Sequence, residues 1–168
     1  MPDARTRYLL AAATFTSGIL AGTVVDRMLV GGPAWHALGA EAWGQFSRRA
    51  DLGTGLIAYP AEAVGTALLL IAALVSSRFD RNRGERMTGP LVAAVALSIL
   101  GLLITAKAAP IMLSLRTVQS PAALLGAFDD FFLWGIYLRG AVDVLTFVAA
   151  VWALSATLGS TESKAMKT

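Results

Sequence analysis

The sequence predicts an all-α fold: an integral membrane four-helix bundle with short amphipathic helices on the extracytoplasmic side. Three observations carry that prediction. The 168 residues are 56% hydrophobic and 15% charged, with mean hydropathy +0.64, where a soluble domain is about one-quarter charged. The apolar residues gather into four blocks, each longer than the ~20 residues a helix needs to cross a bilayer core. The basic residues concentrate in alternate connecting segments, as the positive-inside rule requires.

The first block, YLLAAATFTSGILAGTVVDRMLV, covers residues 8–30. It exceeds the ~7–15 residues of a signal-peptide core and ends in no small-x-small cleavage site, so a retained span is expected. The other spans are expected at about 53–76, 90–113 and 133–158, all within a single domain over 1–168. Between spans 1 and 2, Trp35, Leu38, Ala42 and Phe46 recur at helical spacing. That predicts one interfacial helix at about 34–50, with Trp35 and Trp43 as headgroup-level anchors. Between spans 3 and 4, Ser120 and Pro121 predict a second short helix, serine as the cap and proline at the first helical position. The two would form a lid over one end of the bundle.

Charge sets the expected orientation. Arg5, Arg7, Arg78, Arg81, Arg83, Arg86, Lys164 and Lys167 fall on one side, and Arg48, Arg49 and Arg116 on the other. Both termini and the 77–89 link are therefore expected in the cytoplasm of a cell whose inner (plasma) membrane holds the protein. The same distribution accounts for the net charge of +3 and sets nucleic acid aside as a partner. With no cysteine and one histidine, disulfides, thiolate metal sites, bis-histidine haem and cysteine nucleophiles are excluded. No ligand spacing points to a metal, and no cofactor motif is present.

The polar residues inside the spans are unevenly placed. At 1.5 Å per residue, Glu62 and Asp143 lie about 21–22 Å above the cytoplasmic ends of their spans, and Tyr59 about 25 Å. Asp26, Arg27, Lys107 and Arg139 lie about 27–29 Å up. Three acids thus face three bases toward the outer end, and a charge turned to lipid costs at least ~2.5 kcal/mol. They are expected to point inward, into a shared polar pocket. Arg139 and Asp143, four apart, would pair directly; Tyr59 and Glu62, three apart, would share a face. Pro60 and Pro110 would widen that end by freeing the carbonyls of Leu56 and Ala106. Gly18 and Gly22, four apart in span 1, predict a close packing face. His36, in the interfacial helix, is a candidate general base over the pocket mouth.

The stretch SGILAGTVVDRMLVGGPAW, a glycine-containing first span running into a proline and an amphipathic segment, resembles the anthrone oxygenase-like family of small four-span membrane proteins. The resemblance implies oxidation of an activated aromatic substrate by molecular oxygen without metal or flavin. Chemistry and placement would then make Glu62, His36 and Tyr59 catalytic. Asp26, Arg27, Lys107, Arg139, Asp143 and Trp43 would bind substrate, the cations stabilising an electron-rich anion. The expected partners are membrane lipid and a hydrophobic small molecule, with a homo-oligomer as a further expectation. Two other functions fit the same residues: a proton-coupled transporter using Glu62 or Asp143, and an accessory protein that binds lipid without catalysis.

Overall fold

The computed structural model describes residues 3–80, 85–118 and 120–165. Helix α1, Ala4–Asp26, passes through a π-helical turn at Arg27–Gly31 into α2, Gly32–Leu38. A short helix α3, Ala40–Arg49, follows. Then come α4, Gly55–Phe79, and α5, Glu85–Ser114. Helix α6, Pro121–Phe131, runs through a second π-helical segment, Phe132–Leu138, into α7, Arg139–Ala165. Among the described residues there is no strand. Four continuous helices, Ala4–Leu38, Gly55–Phe79, Arg86–Ser114 and Pro121–Thr157, are long and apolar enough to cross a membrane. The chain is a multi-pass membrane protein of helical-bundle type.

The four crossings form a ring in which α1 packs on α4 and α7, and α5 packs on α4 and α7. The α5–α7 contact is the most extensive and the α4–α5 contact the least. Two of the rods exceed the bilayer. At 1.5 Å per residue, the 35 residues of Ala4–Leu38 and the 37 of Pro121–Thr157 reach well past a hydrocarbon core of about 30 Å. Their surplus stands at the end away from the termini, where α3 packs against α6. A cap results, with Trp43, Leu124, Phe128, Phe131, Phe132 and Ile136 at its centre.

Two expectations are corrected here. The predicted interfacial helix at 34–50 is two helices, because Gly39 has φ +88°, a left-handed conformation that helical L-residues avoid. Residues before it prolong span 1, and those after it form α3. The Ser120 cap holds, its Oγ accepting from the Ala123 N–H at 3.3 Å, but α6 does not stand alone as a lid helix. It continues without a break into span 4. In span 1, the register shift (Gly32 N–H to Arg27 O) lets Pro33 follow inside one rod, where an ordinary α-turn would clash with the proline ring.

Helix packing also departs from the glycine pattern. A Cβ on Gly18 would sit 3.0 Å from the Phe147 ring, but one on Gly22 would meet nothing within 4 Å. A tighter contact with the first span is at Gly140 of α7, where a Cβ would lie 2.4 Å from Val24 Cγ1 and 2.8 Å from Met28 Sδ.

At the termini end, Leu10, Ala13, Leu70, Ala73, Leu91, Ala94, Ala150 and Ala153 form an apolar core. The Thr6 hydroxyl closes it below, hydrogen-bonded to Ser76 Oγ at 2.8 Å and donating to Asp80 Oδ1 at 3.3 Å. This joins the start of α1 to the end of α4. Of the basic residues that set the expected orientation, Arg81, Arg83 and Lys167 lie outside the described residues.

Candidate functional site

Between the termini-end core and the aromatic cap lies a polar layer to which every crossing contributes. Its upper part is a cavity of about 140 Å³. The walls are mainly Leu20 and Val24 of α1, Leu56 and Pro60 of α4, Ala108, Met112 and Leu113 of α5, and Phe131. Its polar groups are Thr23, Arg27, Asp51, Tyr59, Thr105 and Arg139.

Arg27 organises this chamber. It occupies the first position of the π-helical turn, a local widening that is frequent at functional sites. One guanidinium nitrogen donates to Asp51 Oδ1 at 2.6 Å and to the Tyr59 hydroxyl, and the guanidinium lies over the Tyr59 ring. Asp51 sits in the turn between α3 and α4, its side chain only 4% exposed, and its Oδ2 has no hydrogen-bond partner among the described residues. Arg139, just after the second π-helical segment, lines the wall that α7 contributes. It lies 3.4 Å from Asp143 Oδ2, within ion-pair reach but not aligned for a hydrogen bond. A guanidinium has five N–H donors, so both arginines keep donors beyond these contacts.

Below the chamber, a void of about 10 Å³ is lined by Thr66, Ser98, Thr105, Arg139, Asp143 and Thr146. Thr105 and Arg139 belong to both spaces. The hydroxyls of Ser98, Thr105 and Thr146 donate to carbonyls of their own helices, which leaves their lone pairs for another partner. Thr66 Oγ1 and Asp143 Oδ2 are buried without a hydrogen-bond partner among the described residues. A space of this size holds about one water molecule.

Of the residues expected to share one pocket, the structure brings together Arg27, Tyr59 and Arg139, with Asp143 directly beneath. The others lie elsewhere. Asp26 is exposed: adjacent helical residues point about 100° apart, so with Arg27 inward Asp26 faces out. Lys107 is exposed, 6.0 Å from the Trp134 ring centroid; Thr105, Ala108 and Met112 occupy the inner face of α5. Glu62 is half-buried on α4, its Oε2 unpartnered among the described residues, and lines neither space. His36 belongs to the cap, its ring edge-on to Phe128 at 4.9 Å and to Phe132 at 4.6 Å.

Trp43 is fully buried. Its ring packs on Phe128 and Phe131 at 5.3 and 5.7 Å, so it is a core side chain of the cap and not a headgroup anchor. Trp35 is half-buried against Phe46 and Phe132. Arg48 clamps α3 to the segment just after α5 by donating to the Leu115 and Val118 carbonyls, each at 2.8 Å.

Asp51 is the chamber-lining side chain that the span-by-span reading left out of the pocket, because it lies just before span 2. The signal was present in the sequence: an aspartate two residues after Arg49, at the entry to span 2. Comparison with protein-family models, with curated proteins and with solved structures gave no match for this chain.

Proposed function

We propose that this protein binds a lipophilic aromatic molecule by an acidic hydroxyl, with Arg27, Asp51, Tyr59 and Arg139 as the head-group site. The observation that carries this reading is the composition of one cavity: two guanidiniums, a carboxylate oxygen without a partner among the described residues, and the hydroxyls of Thr23, Tyr59 and Thr105 within mainly apolar walls. Apolar pockets with a few convergent polar groups are the usual form of small-molecule sites. A carboxylate ligand would find cations but be repelled by Asp51. A phenol fits both, giving its hydrogen bond to Asp51 Oδ2 and accepting from an arginine.

The same arrangement suits the chemistry that the resemblance to anthrone oxygenase-like proteins implies. Asp51 is the carboxylate placed to take a proton from the hydroxyl, in place of Glu62 or His36. The arginines then stabilise the anion that forms. In such a reaction a methylene activated by the ring becomes a carbonyl, molecular oxygen supplies the new oxygen atom, and its second atom leaves as water. The transporter reading draws no support from the packed aliphatic core between the chamber and the termini.

The orientation proposed is with both termini in the cytoplasm of a plasma-membrane protein, from the excess of arginine and lysine at that end. The chamber then lies toward the outer face. A reporter fused to the C-terminus, active only in the cytoplasm, tests that arrangement.

The test of the site is equilibrium binding, in lipid nanodiscs, of a lipophilic phenol and its methyl ether. The phenol is expected to bind more tightly, and Arg27→Gln or Arg139→Gln to weaken it by about 1.5–3 kcal/mol, the worth of a hydrogen bond to a charged group. Equal affinity for phenol and ether, unchanged in both variants, would overturn the proposal. Oxygen uptake with a single-ring phenol that carries an activated methylene, lost in Asp51→Asn, is expected if the site also carries the oxidation.

A further inference from the structure

Resting on that reading of the head-group site, we propose that the ligand is a single-ring phenol or quinol with a long apolar tail. The tail leaves the chamber sideways, through the seam between α4 and α5, and stays in the bilayer.

Size limits the head. A closed apolar cavity of roughly 150 Å³ accommodates one benzene ring, and the chamber offers about 140 Å³. One ring with its hydroxyl fits between Arg27, Asp51 and Arg139. Three fused rings, or an acyl chain in addition to the ring, do not. Whatever apolar mass the ligand carries beyond one ring must lie outside the chamber.

Exposure then shows where the chamber opens. Its wall residues on α1 and α6 are closed off: Leu20 is 7% exposed, Val24 6% and Phe131 8%. Its wall residues on α4 and α5 include Leu56 at 42% and Leu113 at 41%, with Pro60 also exposed. The mouth therefore lies between those two helices. Their packing is the least extensive of the four neighbouring pairs. Each also carries a proline inside the helix near the mouth, Pro60 in α4 and Pro110 in α5, which removes a backbone hydrogen bond there.

The mouth is apolar, and apolar side chains continue down both helices on their exposed surfaces, Val64 and Leu68 on α4 and Leu103 on α5. A polar or charged extension of the ligand would meet hydrocarbon at this opening and lose its hydration. An alkyl or isoprenoid tail meets the medium it already occupies. The ligand thus need never leave the membrane: its head turns in between α4 and α5 while its tail remains among the lipids.

The test uses protein in nanodiscs of neutral lipid, with three probes: 4-methylphenol, a phenol with a fifteen-carbon tail (roughly half a bilayer core, long enough to reach well beyond the mouth), and a tricyclic anthrone. Leu56→Trp and Leu113→Trp narrow the mouth, and Leu103→Trp places the same bulk on the lipid-facing surface. Thermal unfolding confirms that each variant folds. Leu113→Ala, which widens the opening, provides a second reading if the tryptophan variants do not fold. The two mouth variants are expected to weaken the tailed phenol roughly tenfold, the effect of overpacking a close contact. They should leave 4-methylphenol and the Leu103→Trp control little changed. Leu113→Ala should bind the tailed phenol at least as tightly as wild type does, with 4-methylphenol again little changed.

If the mouth variants are silent for the tailed phenol while Arg27→Gln and Arg139→Gln abolish binding, the head-group site stands and the tail path is refuted. The tail path is equally refuted if the anthrone binds as tightly as the tailed phenol and responds to none of the mouth variants. Should neither the arginine nor the mouth variants affect any probe, both readings fall.

Discussion

Replacing Arg27 by glutamine removes the cation that joins three segments of the chain: the π-helical turn after α1, the turn carrying Asp51, and Tyr59 on α4. Asp51, 4% exposed, would be left with neither oxygen bonded to a partner among the described residues. Breaking one side of a buried ion pair typically costs about 3–5 kcal/mol, because the other charge is left uncompensated. The Arg27 side chain is itself 17% exposed, and water can partly reach the site, so the lower end applies. A loss of about 3 kcal/mol corresponds to roughly two orders of magnitude in the folding equilibrium. Asp51→Asn in the same background removes the stranded charge and should recover more than half of that loss. Asp51→Asn alone leaves Arg27 near Tyr59 and should cost less than Arg27→Gln. The assay is reversible unfolding in mixed micelles, with the four proteins compared as a double-mutant cycle. Purely additive losses would show that Arg27 and Asp51 do not interact in the membrane, and would refute the account of the chamber as an ion-paired site.

Gly140→Ala is expected to destabilise the bundle by about 1–3 kcal/mol, the cost of overpacking, because its methyl group would strike Val24 and Met28. Gly22→Ala, with open space at its Cβ, should be neutral or slightly stabilising in the same unfolding assay. Gly39→Ala should cost about 1–2 kcal/mol through left-handed backbone strain and should loosen the cap, seen as faster amide exchange in α3. Thr6→Val, which removes the link to Ser76 and Asp80, should cost about 1 kcal/mol or more. Glu62→Gln is expected to leave phenol binding unchanged, since Glu62 lines neither internal space; loss of binding comparable to Arg139→Gln would show that Glu62 reaches the chamber.

The sequence made the bundle legible because hydropathy over some twenty residues is a sum, insensitive to any one side chain. The end points of the helices were less so. Span 1 was expected to stop near Val30, yet the helix runs to Leu38, since Gly31, Gly32 and Pro33 are absorbed by a register shift that no local propensity announces. Gly39 did carry the signal for the break, but the helical spacing of Trp35, Leu38, Ala42 and Phe46 concealed it. That spacing is also met by two helices joined at a glycine.

The candidate site was half legible. Depth along a helix follows from counting, which is why Arg27, Tyr59, Arg139 and Asp143 were found at similar levels. Facing does not follow from counting, because residues at one depth point in different directions around the helix and only the packing of its neighbours says which direction is inward. Lys107 and Asp26 have the right depth and the wrong azimuth. Asp51 has the right azimuth and was overlooked because it precedes the span. Trp43 illustrates a different ambiguity: an aromatic residue next to a membrane span suits an interface or a protein core equally well, and only the packing of α3 on α6 decides between them.

The central claim is that Arg27 and Arg139 face a common polar chamber and not the lipid perimeter. Because the chain has no cysteine, a single introduced thiol tests it without background. Thr105→Cys sits on the chamber wall beside Arg139, and Leu103→Cys, two residues away, faces outward at a position 65% exposed. In nanodiscs, a small neutral maleimide should modify the Thr105 position much faster, since cations and water favour the reactive thiolate and hydrocarbon suppresses it. Equal rates at the two positions, or a faster reaction at Leu103, would contradict the account.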